Sequence, residues 1–134
     1  MSDDAIEEIR RRKLEELRTR AAGEPSAPSE PIPVESRSDL DDVVGSHDVV
    51  LVDFYADWCG PCRLLKPTVD RIAQETEAAV ATVDIDASQQ LAAAYGVRSV
   101  PTLILFVRGE PTERLQGVQD EATLTSLIDR HASA

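Results

Sequence analysis

The chain predicts an α/β fold with a mixed central sheet and helices on both faces, preceded by a charged helix and a proline-rich linker. Three observations carry that expectation. From Val34 onward, strand-like and helix-like patterns alternate. The run "DVVLVDFYA", Asp48 to Ala56, is almost wholly apolar, β-branched or aromatic, the pattern of a central strand buried on both faces. Near the C-terminus, "TLILFVRG" and "ERLQG" flank the turn "RGEP" and read as an antiparallel hairpin. Parallel crossovers followed by one hairpin make the sheet mixed.

The elements follow in order. Residues 1–22 read as a charged amphipathic helix, with Ile6, Ile9, Leu14, Leu17 and Ala21 on one stripe and Asp3 or Asp4 as cap. Acids at its start and Arg18 and Arg20 at its end match the helix dipole, and Glu7–Arg11, Glu8–Arg12 and Glu16–Arg20 are spaced to pair. Gly23 is the expected stop. Residues 23–33, with prolines at 25, 28, 31 and 33, read as an extended, semi-stiff linker. The domain proper is expected over 34–134. It opens with a short strand at Val34–Ser36 and a capped helix from near Ser38. After the central strand, Gly60 to Glu77 is helical, with Leu64, Leu65, Val69, Ile72 and Ala73 at helical spacing and a kink expected at Pro67. A strand over Ala79–Asp86 follows, then a short helix closed by Gly96. Beyond the hairpin comes a last amphipathic helix capped by Asp120.

Charge narrows the function. The net charge is -11. Residues 1–22 hold six acids and six bases, whereas 34–134 hold 17 acids and eight bases, of which Lys66 is the one lysine. Such a surface repels anionic membranes and nucleic acid, so neither is an expected partner. Dense carboxylates with scarce lysine are tolerable in a salt-rich cytoplasm and resemble the proteins of halophilic archaea. The densely charged opening carries no hydrophobic signal core, and no apolar run reaches the length of a membrane span, so a cytoplasmic location is expected.

The two cysteines, Cys59 and Cys62, stand two residues apart between a strand and a helix. A thiol pair in that setting is catalytic or metal-binding more often than a staple. The first sulfur sits at the helix N-terminus, where unsatisfied N–H groups favour its thiolate, so Cys59 is the expected nucleophile. Cys62, one turn on and expected to be the more buried, is the resolving thiol. Gly60 and Pro61 between them add no charge, which favours a reductant over an oxidant. Asp53 interrupts an apolar strand six residues before Cys59. A buried carboxylate is costly while ionised and is a candidate proton acceptor from Cys62.

On these residues, "VDFYADWCGPCRLLKP", "GVRSVPTLILFVRGE" and "LQGV", the chain resembles the thioredoxin family over about 34–134. The resemblance implies a thioredoxin-like three-layer α/β/α fold and protein disulfide reduction without a bound cofactor. Cys59, Cys62 and Asp53 would be catalytic, and Pro101 a cis proline beside them. Trp58, Gly60, Pro61, Val100, Pro101, Gly117 and Val118 would form an apolar docking surface that pairs with extended substrate backbone. Disulfide-containing client proteins and a thioredoxin reductase as electron donor are the implied partners. Two positions depart from the family pattern. Thr82 stands where many members carry a lysine near the buried acid, which raises the pKa expected of Asp53, and Tyr55 replaces a frequent tryptophan.

Other readings stay open on residues alone. A zinc site would need two further ligands, and His47 and His131 lie far away and are expected to be exposed. A thiol–disulfide isomerase or a single-pathway reductase could use the same chemistry. A non-enzymatic scaffold would use the first helix as its binding element. That helix, "IEEIRRRKLEELR", also resembles the opening helix of a family of small archaeal DNA-binding proteins.

Overall fold

A computed structural model describes residues 3–21 and 27–132, with side chains described over 5–14 and 27–132. The elements are α1 (Asp3–Ala21), β1 (Ile32–Pro33), α2 (Arg37–Ser46), β2 (Val49–Tyr55), α3 (Gly60–Glu75), β3 (Ala79–Asp84), α4 (Gln89–Ala94), β4 (Thr102–Val107), β5 (Glu110–Gln116) and α5 (Glu121–Ala132). The expected sequence of strands and helices is found. The sheet order is β1-β3-β2-β4-β5. β1 and β2 run parallel to β3, while β4 is antiparallel to both β2 and β5.

β2 is flanked on both sides and is buried from Val49 to Phe54. Side chains alternate across a strand, so its odd and even residues enter different layers. Val49 and Leu51 join Val80, Leu103 and Leu105 under Leu65, Val69 and Ile72 of α3 and Leu124 and Ile128 of α5. Val50, Val52 and Phe54 join Ala81, Val83, Ile104 and Phe106 under Leu40 of α2 and Leu91 of α4. Two apolar layers therefore sandwich one sheet. Asp53 continues the odd series, which points it toward the α3 side.

Three boundaries differ from the sequence reading. β1 occupies Ile32–Pro33 rather than Val34–Ser36, at the end of the stretch expected as linker. Pro33 is tolerated because β1 is an outer strand that does not need every N–H. Val34 still donates from its N–H to the Thr82 carbonyl at 2.9 Å. α2 starts at Arg37, because the Ser36 hydroxyl, not one further on, accepts the Asp39 N–H at 3.1 Å. β5 begins at Glu110 rather than Glu113. Arg108 and Gly109, with φ of 50° and 82°, form a tight two-residue turn that enlists Glu110 and Pro111 in the ladder. The register then steps from Phe106↔Pro111 to Leu105↔Glu113, leaving Thr112 as the extra residue of a bulge.

The remaining element boundaries agree with the sequence reading to within about two residues. α3 runs unbroken through Pro67. Gly96 closes α4 with a φ of 66°. Asp120 caps α5, its Oδ1 accepting the Thr123 N–H at 2.7 Å, and the Thr123 hydrogen bonds hold this carboxyl below its ordinary pKa. In α1, Ile6, Ile9 and Leu14 are exposed and Arg12 meets Glu8 at 3.0 Å. The expected Leu17, Ala21, Arg18, Arg20 and Glu16–Arg20 contacts and the stop at Gly23 lie outside the described residues. No helix among the described residues is long and apolar enough to cross a membrane.

The position of β1 sets a truncation test. Removing residues 1–26 should leave urea stability unchanged, since the sheet is intact. Removing 1–33 deletes β1 and should cost about 1–3 kcal/mol, roughly one per lost ladder hydrogen bond.

Candidate active site

The loop from β2 to α3 places the cysteines. The Cys59 N–H donates to the Ala56 carbonyl at 3.1 Å and makes the turn, and Arg63 braces it through Nη2 to the Asp57 carbonyl at 2.8 Å. Cys59 is then the N-cap residue of α3, with Pro61 in the first helical turn. Its Sγ accepts the Cys62 N–H at 3.2 Å, the position a capping oxygen would take. The two cysteines are joined as a disulfide, their Cα atoms 5.3 Å apart.

Burial does not separate the two sulfurs as expected. Cys59 is 4% exposed and Cys62 6%, so Cys62 is not the more buried in this oxidised form. Direction separates them instead. Cys59 sits at the helix tip, whereas Cys62 lines a cleft of about 630 Å³ on the α3 side of the sheet. Asp53, Tyr55 and Thr82 of the sheet line the same cleft, with Lys66, Val69 and Asp70 of α3.

Asp53 is 5% exposed, and its Oδ1 has no hydrogen-bond partner among the described residues. Burial pushes its carboxyl up from 3.8 to about 7, and the positive charge of Lys66 opposes the rise. The charge missing at Thr82, which is paired in register with Asp53, is therefore partly supplied from α3. Tyr55 is also raised, first by burial and then by Asp84, Asp57 and Asp53.

Several of the expected docking residues lie beside the disulfide. The Val100–Pro101 bond is cis. Val100 packs on the cluster of Ala56, Cys59 and Cys62. The Gly117 N–H donates to the Pro101 carbonyl at 2.9 Å, and the φ of 85° at Gly117 turns the chain there. Val118, the next residue, is 49% exposed. Gly60 and Pro61 are exposed at the helix tip, and Trp58 is 68% exposed.

Sequence reasoning missed the residues that fix this rim. Trp58 Nε1 donates to Asp86 Oδ2 at 2.9 Å, and Asp84 Oδ1 accepts the Asp86 N–H at 2.9 Å to shape that turn. Thr102 Oγ1 donates to the Ser99 carbonyl at 2.6 Å just behind Pro101. The aspartates of "VDIDAS" were a readable turn signal; the pairing with Trp58 across 28 positions was not. Ser29, Glu30, Pro31 and Pro33, inside the expected linker, form a wall of the Asp53 cleft.

The histidines differ from expectation. His131 is partly buried, its Nε2 3.3 Å from Glu113 Oε1, and His47 is half-buried at the end of α2. Among the described residues no three His, Cys, Asp or Glu side chains gather as a metal site.

The thioredoxin family model matches residues 32–130. The thioredoxin of Pyropia yezoensis is 43% identical over 94 residues, 69% of this chain and 88% of its own. Thioredoxin 1 of a Nostoc species is 41% identical over 92 residues, 67% of this chain and 86% of its own. A mutant thioredoxin from Halobacterium salinarum, a solved structure, is 53% identical with a TM-score of 0.77, covering 80% of this chain and 95% of that one.

The chain belongs to the thioredoxin family.

Its fold is the thioredoxin fold, and its function is thiol–disulfide oxidoreduction through the Cys59–Cys62 pair. Thioredoxins act on disulfide-containing proteins and are themselves reduced by a thioredoxin reductase.

The buried carboxylate gives a stability signature. Unfolded, Asp53 ionises near its ordinary 3.8; folded, near 7. Below about pH 4 both states hold the proton and the group contributes nothing. Between about pH 4 and 7 the unfolded state alone is ionised, so folding stability falls as pH rises, and above 7 the loss is complete. Asp53→Asn should therefore gain on the wild type through that window and level off at about 4 kcal/mol, read by urea unfolding at each pH.

Proposed function

We propose that the protein is a general reductant of protein disulfides in which Cys59 attacks, Cys62 resolves and Asp53 carries the proton. The observation that supports these roles is the division of the pair between two environments. Cys59 holds the helix cap, where N–H groups favour a thiolate, while Cys62 shares a cleft with Asp53.

In the first step the Cys59 thiolate attacks one sulfur of a substrate disulfide. A Cys59–substrate bond forms, the substrate S–S bond breaks, and the other substrate sulfur leaves as a thiolate that takes up a proton. In the second step ionised Asp53 accepts the proton of the Cys62 thiol. The Cys62 thiolate then attacks Cys59 Sγ, forming the Cys59–Cys62 bond and breaking the Cys59–substrate bond; the second substrate sulfur leaves as a thiolate and takes up a proton from Asp53 or from solvent. Two electrons have passed from the dithiol to the substrate. A carboxyl with a pKa of about 7 suits the second step, because it is substantially ionised at neutral pH yet basic enough to accept the proton.

Substrate recognition rests on Trp58, Gly60, Pro61, Val100, Pro101, Gly117 and Val118. This rim is shallow and partly apolar, and the chain beside Pro101 can pair with an extended client segment. Such backbone pairing asks little of the client's side chains and suits many clients. The partners are disulfide-bearing proteins and a thioredoxin reductase. The acid excess over 34–134, with the likeness to a Halobacterium salinarum thioredoxin, supports work in a salt-rich cytoplasm.

Trapping separates the roles. Cys62→Ser should accumulate mixed disulfides with clients on non-reducing gels, Cys59→Ser should accumulate none, and both should lose catalytic reduction of insulin. Equal trapping by the two variants would overturn the assignment. Rescue of scrambled disulfides at an oxidising poise, without insulin reduction, would mark an isomerase instead.

A further inference from the structure

Along α3, Cys62, Lys66, Val69 and Asp70 recur at spacings of four, three and one, so one flank of the helix faces the cleft from the disulfide inward. Opposite stand Asp53 of β2 and Thr82 of β3, partners in register and both on the α3 side of the sheet. The charged groups around this cleft are few. α3 contributes Arg63, Lys66 and Asp70, the β2–α3 loop Asp57, and the segment before β1 contributes Glu30; β2 adds the phenol of Tyr55 and β3 the neutral Thr82. The β4 neighbour of Asp53 is Leu103, fully buried and apolar.

Three acids thus face two cations across the carboxylate. Arg63 has its guanidinium committed to the Asp57 carbonyl. Lys66 is held only loosely by Asp70, at 4.0 Å with its side chain 75% exposed. A long, flexible ammonium of this kind can reach along an apolar wall while its tip stays solvated.

We propose that Lys66 is the counter-ion of Asp53, a positioning residue that keeps the carboxylate ionised and ready for the Cys62 proton by acting across the cleft from α3, with no charge offered by the adjoining strand at Thr82. The inference rests on Asp53 being the proton acceptor of the second step. It adds the residue that sets when that acceptor is available. The electrostatic pull of Lys66 on Asp53 has the sign the role requires. Among the described residues, Lys66 is the base identified as pulling on Asp53.

Two features of the arrangement have consequences. The ammonium is mostly solvated, so the coupling is modest and sensitive to ionic strength. Asp70, on the same helix flank, competes with Asp53 for the same cation.

The test follows resolution of a preformed mixed disulfide in the full-length protein across pH 5–9, together with the carboxyl ¹³C titration of Asp53 in the reduced protein. Lys66→Met should move both midpoints upward by roughly 0.2–0.7 pH unit, the size expected of a partly solvated pair. Resolution at pH 6 should then slow by about 1.5- to 5-fold. Lys66→Arg should titrate as the wild type, and adding Thr82→Lys to Lys66→Met should bring the midpoint back down. The gap between wild type and Lys66→Met should narrow in molar salt, where screening reaches within roughly 3 Å. Coincident midpoints for wild type and Lys66→Met, or Lys66→Arg shifting as far as Lys66→Met, would overturn the proposal. Asp53→Asn distinguishes this from failure of the proton-acceptor reading. If the rate still rises with the same midpoint in Asp53→Asn, Asp53 is not the acceptor; if that rise vanishes there but ignores Lys66, only the counter-ion role falls.

Discussion

An acid held inside an apolar sheet, its Oδ1 without a hydrogen-bond partner among the described residues, is the constraint on which the site turns. Ionised, such a group costs the fold several kcal/mol; neutral, it costs little. The molecule keeps it two residues before the end of the central strand β2, where strand alternation aims it at the flank of α3 that carries Cys62. Stability is given up at this carboxylate beside the disulfide, and the two apolar layers around the sheet sustain the loss.

The two sulfurs draw on different parts of the same helix. The first uses backbone: the N-cap position, an N–H donated to sulfur, and a proline that leaves no donor unsatisfied in the first turn. The second uses side chains lining a cleft. The two cysteines are about equally buried and differ instead in direction, one at the helix tip and the other on the cleft. Around them, the rim is fixed by bonds from behind. Asp86 holds Trp58, Thr102 holds the turn before Pro101, and Pro101 receives Gly117. Exposed apolar side chains can be presented to a partner in one arrangement because their polar edges are already satisfied.

Much of this was legible in the residues. The central strand was visible because burial on both faces leaves an unbroken apolar run, and within such a run a single aspartate stands out. The cysteine pair, its place at a strand-to-helix junction and the hairpin were equally local signals. Legibility ended where structure depends on residues distant in sequence. Trp58 with Asp86, the wall made by Ser29 to Pro33, and Lys66 facing Asp53 each join segments that share no periodicity. β1 was displaced by two residues because proline argues against a strand until the strand is known to lie at an edge. The relative exposure of the cysteines could not be read from spacing, since i,i+3 residues on a helix end are shielded by whatever packs beside them, here Val100 and Ala56.

Both outer strands of the sheet carry a proline, Pro33 in β1 and Pro111 in β5, and the second sits beside a bulge. Open strand edges invite unrelated chains to add themselves and propagate into aggregates. Here each border lacks a donor at a critical place, so neither offers a continuous template. For a member of a family that acts on other proteins, that matters. On the proposed docking mode strand addition would be confined to the cis-proline corner beside the disulfide, and a client held there would have no second ledge from which to nucleate an oligomer.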